Sequence, residues 1–121
     1  MNDLAQRVVA HARDLLLAER FGDIRVDACF YYGAVDISPK YLVVWVLLEG
    51  APDSELPEWY TPEDKSPRVR LEPELVSWLA RLRKIVRGEF AAASWPDAEN
   101  VDVLFDSEHR VRTHGGWEYF K

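Results

Sequence analysis

The chain opens on a helical pattern. Leu4, Val8, Ala12, Leu15 and Leu16 recur at the spacing of one helix face, while Arg7, His11, Arg13 and Asp14 fall largely off it. Asn2 or Asp3 can cap the start with a short side-chain acceptor, and Gly22 suits a left-handed C-cap. The spacing predicts a helix over 3–21. The period then drops to two. Ile24, Val26, Ala28, Phe30 and Tyr32 alternate with Arg25, Asp27, Cys29 and Tyr31. This predicts a half-buried strand with Cys29 on the side away from the apolar set. Gly33, Asp36, Ser38 and Pro39 mark the turn that follows.

Tyr41 to Leu48 is apolar on both alternating sets, which predicts a strand covered on both faces. Helices account for one cover. The other falls to the following loop or to a second copy of the chain, as in a homodimer. Residues 50–70 carry Pro52, Pro57, Pro62 and Pro67, and each proline fixes φ and removes a donor. They predict a long loop without regular structure, a feature that often carries function. Leu56, Trp59 and Tyr60 in its middle either fold back on the sheet or meet a partner.

Past the loop, Leu71, Leu75, Trp78, Leu79, Leu82, Ile85 and Val86 form an apolar stripe. Pro73 suits the first helical turn and Gly88 suits a stop, so the stripe predicts a second helix over 72–87. Val101, Val103 and Phe105 alternate with Asp102, Leu104 and Asp106, which predicts a third strand. Asp106-Ser-Glu-His109 reads as a hairpin turn, Arg110 to Thr113 as a fourth strand interrupted by Gly115-Gly116, and Trp117 to Phe120 as its extended continuation. The pattern as a whole predicts one α+β domain over 1–121, in the order α-β-β-α-β-β. Its four-stranded, mainly antiparallel sheet would carry two amphipathic helices on one face.

Composition and charge narrow the partners. A chain of 121 residues, 48% hydrophobic, can bury a core without staples. Cys29 is the single cysteine, so no internal disulfide forms, which favours a reducing compartment. The start of the chain lacks a signal-peptide pattern, and no apolar run approaches the ~20 residues of a membrane span. A cytoplasmic location without membrane attachment is expected. The net charge of −6 disfavours nucleic acid, whose phosphates need clustered cations. The charge is also uneven. Glu49, Asp53, Glu55, Glu58, Glu63 and Asp64 form an acidic stretch without a base, whereas 68–87 holds Arg68, Arg70, Arg81, Arg83, Lys84 and Arg87.

Chemical motifs are sparse. Cys29 has no neighbouring base in sequence to activate it and reads as a structural residue. His109 and His114, five apart on a strand, would point to opposite faces, and His11 sits on a polar helix side, so no metal or other cofactor is expected. Asp102 and Asp106 would lie about 13 Å apart on a strand, too far for a two-carboxylate hydrolase. A non-enzymatic protein-binding role follows. Glu55, Glu58, Trp59, Tyr60, Glu63 and Asp64 are its candidate contacts, facing a partner with a basic surface. Size, acidity and lack of catalytic motifs are similar to those of bacterial toxin-neutralising immunity proteins, a similarity of class without a shared motif. The alternative is an enzyme or small-ligand binder. Its pocket would lie between sheet and loop, lined by Tyr31, Asp27, Asp36 and His109.

Overall fold

A computed structural model describes residues 1–50, 56, 60–62 and 71–115. Helix α1 spans Asn2–Leu16, followed by β1 (Arg20–Phe21), β2 (Ile24–Tyr32) and β3 (Val43–Glu49). Helix α2 (Pro73–Ala92), β4 (Asp102–Ser107) and α3 (Glu108–Thr113) complete the order α-β-β-β-α-β-α. The protein is α+β as predicted, but with three helices rather than two among the described residues. The sheet runs β1-β2-β3-β4, antiparallel except for the parallel pair β3–β4. It is therefore mixed, because α2 lies between β3 and β4 in sequence and carries the chain back to the same end.

Three elements depart from the sequence pattern for identifiable reasons. Helix α1 stops at Leu16, and Gly22, at φ 58, turns a two-residue hairpin instead of capping it: Phe21 pairs with Ile24 and Arg20 with Arg25. Helix α2 runs past Gly88 to Ala92, since Phe90, fully buried, continues its apolar stripe. Ser94 then takes the left-handed conformation, and Trp95 N–H bonds the Phe90 carbonyl at 2.9 Å while Ser94 N–H bonds that of Ala91 at 3.0 Å. This is a Schellman ending, completed by the Phe90–Trp95 ring contact. The expected hairpin at 106–109 and the strand at 110–113 are replaced by α3. The Ser107 side chain accepts from Arg110 N–H, and Glu108 pairs with Arg112 one turn on. Trp117 to Phe120 lie outside the described residues.

Strand β2 hides a change of face. Val26 pairs with Leu48 but Ala28 pairs with Leu47, so Asp27 is an extra residue, a β-bulge. After it the alternation inverts. Val26, Cys29 and Tyr31 look toward α1 and α2, with Val44, Val46, Leu48, Val103 and Phe105 in the same cluster. Cys29 is thus buried in the core, against the strict period-two expectation, and burial pushes its thiol up to about 12. Ala28, Phe30 and Tyr32 turn to the other face, in register with Leu47, Trp45 and Val43.

Tertiary contact caps α1. Met1 is its N-cap residue without a side-chain cap bond, and the Asp36 carboxylate, from the loop after β2, accepts from Asn2 N–H at 3.0 Å and the Met1 ammonium at 3.2 Å. These contacts, led by the Asn2 hydrogen bond, hold the Asp36 carboxyl below the ordinary carboxylate value.

Candidate functional site: the anchored acidic segment

Between β3 and α2 the chain is tied to the last strand and the last helix. Tyr60 N–H donates to the Phe105 carbonyl at 2.9 Å, and Phe105 N–H donates back at 2.8 Å. This single antiparallel bridge covers the edge of β4 that faces away from β3. Directly opposed residues share a face, so Tyr60 follows Phe105 into the helix-side core, where its side chain is 1% exposed. Leu56, also 1% exposed, enters the same cluster. The described anchors of the loop therefore serve the helix face of the sheet, not the second face of β3.

The second anchor is ionic. Asp106 lies on the face of β4 shared with Leu104, and its side chain is wholly buried. Its carboxylate accepts from Ser107 N–H at 2.7 Å and from Arg110 Nη1 at 2.8 Å. Arg110 Nη2 donates to the Leu56 carbonyl at 2.6 Å. A guanidinium presents several donors in a rigid fork, so one side chain can join two acceptors in fixed geometry. Here it joins a strand, a helix and the loop. With Arg110 holding Asp106, α3 turns onto the second face; Trp45, Leu47 and Val111 are buried outside the helix-side cluster.

Of the residues singled out as contacts, Tyr60 is an anchor in the core. Glu55, Glu58, Trp59, Glu63 and Asp64 lie outside the described residues. Sequence alone singles out Asp106 only as one of a carboxylate pair with Asp102, and Arg110 not at all as a site residue. Their signal was a carboxylate and a guanidinium at i, i+4 across a Ser cap, which reads as a helix pair only once the hairpin reading is dropped.

The groups named for a pocket do not converge. Tyr31 and Asp36 meet at the start of α1, where Tyr31 Oη donates to the Asn2 side chain and carbonyl. Burial first, then the charges of Asp36 and Asp3, raise the Tyr31 phenol. Asp27 stands at the bulge, four rows away along β2, and His109 is exposed on α3. His11 Nδ1 lies 3.1 Å from Glu89 Oε2 and links α1 to α2, while His114 Nδ1 lies 2.8 Å from the Arg110 carbonyl. Among the described residues, no group of three or more His, Cys, Asp or Glu could hold a metal ion, and no helix is long and apolar enough to cross a membrane.

No protein-family model matches the chain, and neither does any curated protein or solved structure.

Proposed function

We propose that this chain is a non-enzymatic protein-binding domain that meets the basic surface of a protein partner with its acidic segment, Glu49 to Asp64. A toxin-neutralising or regulatory protein would work in this way. The observation that carries the reading is the double anchoring of that segment. Leu56 is held by Arg110 of α3, and Tyr60 is paired with Phe105 of β4. Fixing an acidic stretch at two points lowers the entropy lost when a partner orders it. Its charge would steer a basic partner and speed encounter. In this reading Tyr60 and Leu56 position the segment, and Glu55, Glu58, Trp59, Glu63 and Asp64 make the contacts.

A quadruple variant, Glu55→Gln, Glu58→Gln, Glu63→Gln and Asp64→Asn, tests the reading. Wild type and variant, both checked for equal thermal stability, are used as bait in the same extract. A loss of specific partners from the variant, steeper at low salt, is expected. Recovery of the same partners in the same amounts would sink the assignment.

A further inference from the structure

The two outer edges of the sheet are finished differently. The edge of β4 is closed by the Tyr60–Phe105 bridge. The edge of β2 is covered by β1, which reaches only Ile24 and Arg25. From Ala28 to Tyr32 no further strand lies beside β2 among the described residues. This stretch is regular, in unbroken register with Leu47 to Val43 past the Asp27 bulge.

The pairing fixes which main-chain groups point outward there. Phe105 exchanges both its hydrogen bonds with Tyr60, so Phe105 points away from β3, and its neighbours Leu104 and Asp106 point toward it. In a parallel ladder a residue bonds the two residues that flank its register partner. Leu104, level with Trp45, therefore takes Val44 and Val46. Val43, Trp45 and Leu47 are left to bond Tyr32, Phe30 and Ala28 on the other side. Cys29 and Tyr31 then direct their N–H and C=O groups off the sheet. No hydrogen bond reaches these four groups among the described residues. Both side chains turn to the helix face, which leaves the edge itself to the main chain.

The side chains supply an independent observation. Open strand edges are normally blunted by lysine, proline or an inward-pointing charge, because they template pairing with another chain. Ala28-Cys-Phe-Tyr-Tyr32 carries none of these; it is uncharged and rich in aromatic strand formers.

We infer that β2 pairs with β2 of a second copy, antiparallel about a twofold axis at Phe30, so that two sheets join into one. Self-complementarity selects this partner. An axis at Phe30 opposes Cys29 to the partner's Tyr31 and Tyr31 to the partner's Cys29, and the four open groups of each copy are satisfied together. The uncharged strip also lets two copies of net charge −6 meet without like charges directly opposed. The contact uses the sheet edge and not the second face of β3. It does not depend on the acidic-segment reading, whose Tyr60 anchor lies on the opposite edge.

Sedimentation of the full chain from about 1 to 300 µM tests this. A monomer–dimer equilibrium is expected, tighter at high salt because screening relieves the repulsion between two acidic copies. The Cys29 and Tyr31 amides should gain exchange protection as concentration rises. Tyr32→Lys, at an exposed position of the edge, should weaken the dimer at least tenfold. Ile37→Lys makes the same change of charge off the strand and should leave the dimer intact. Phe30→Cys, in a Cys29→Ser background, should form an intermolecular disulfide on mild oxidation, since directly opposed residues of a non-hydrogen-bonded pair have Cα atoms about 4.5 Å apart. A monomer throughout, equal loss from both lysine variants, or protection on another element would overturn the inference. Absence of the disulfide in a folded, dimeric Phe30→Cys variant would overturn the axis. Protection of Cys29 and Tyr31 that does not change with concentration would put another segment of the same chain on the edge and overturn the choice of a second copy.

Discussion

Arg110 Nη2 donates to the main-chain carbonyl of Leu56 at 2.6 Å, across 54 positions of sequence. The same guanidinium holds the buried Asp106 carboxylate at 2.8 Å. Removing one member of a buried pair strands the other charge, which costs about 3–5 kcal/mol. Arg110→Ala should therefore lower the urea midpoint by an amount equivalent to about 3 kcal/mol. It should also speed amide exchange at Tyr60, whose N–H bonds Phe105. An unchanged midpoint with an unchanged Tyr60 amide would remove the latch from the account.

The Asp36 cap on α1 is a pH device of the acid range. Its folded pKa lies below the unfolded one, so its stabilisation is fully present above the unfolded value and fades as pH falls through the folded value. Wild type should lose stability more steeply than Asp36→Asn as pH falls through and below the ordinary carboxylate range. Two parallel curves of unfolding free energy against pH would contradict the cap.

Cys29 should be silent in the native state. With a pKa of about 12 against an ordinary 9.0, its thiolate fraction at pH 8 falls about a thousandfold. Alkylation by iodoacetamide should proceed only through unfolding and accelerate in denaturant. Stoichiometric labelling within minutes under native conditions would mean that the residue is not in the core.

Two backbone positions make opposite predictions. Gly33 sits at φ 120, and a Cβ there would come within 1.9 Å of the Tyr41 carbonyl oxygen. Gly33→Ala should therefore cost more than about 2 kcal/mol or prevent folding. Ser94 sits at φ 60 in the helix ending, where glycine is the unstrained residue. Ser94→Gly should stabilise by about 1 kcal/mol, read from the thermal midpoint. A reversed order of the two variants would refute the assigned conformations.

Much of the fold was legible where one periodicity held without interruption. Leu75, Trp78, Leu79, Leu82 and Val86 all lie in the core, as their spacing requires. The apolar run Tyr41 to Leu48 supplies the central strand, buried from Val44 to Leu48, but the strand begins only at Val43 and Tyr41 sits exposed in a 3-10 turn. Reading failed where a single residue broke the period. Asp27 adds one residue to β2, so Cys29 and Phe30 exchange faces. A bulge leaves almost no mark in composition, because the residues around it keep their strand character. At Ser107 the trace was ambiguous in another way. Asp-Ser-Glu-His serves a turn or a helix cap, and packing beyond the segment chooses.

The acidic segment was visible as a run of charge, but its anchoring was not. Leu56 and Tyr60 looked alike as apolar residues in a loop, and only their position beside β4 shows that they enter the core. With Asp106 opening a hairpin turn and Arg110 opening a strand, the sequence pattern gives no sign of their pairing.

By itself the sequence determined the apolar helix stripes, the doubly apolar strand, the lone thiol and the opposed charges of loop and helix. These are properties of residues close together in the chain, and local spacing encodes them. Tertiary structure alone decided the parallel β3–β4 pairing, the inverted face of β2, the Asp36 cap and the Arg110 latch. The cap and the latch join residues 34 and 54 positions apart. Burial and geometry select such contacts after the chain has closed, and no local pattern carries that information.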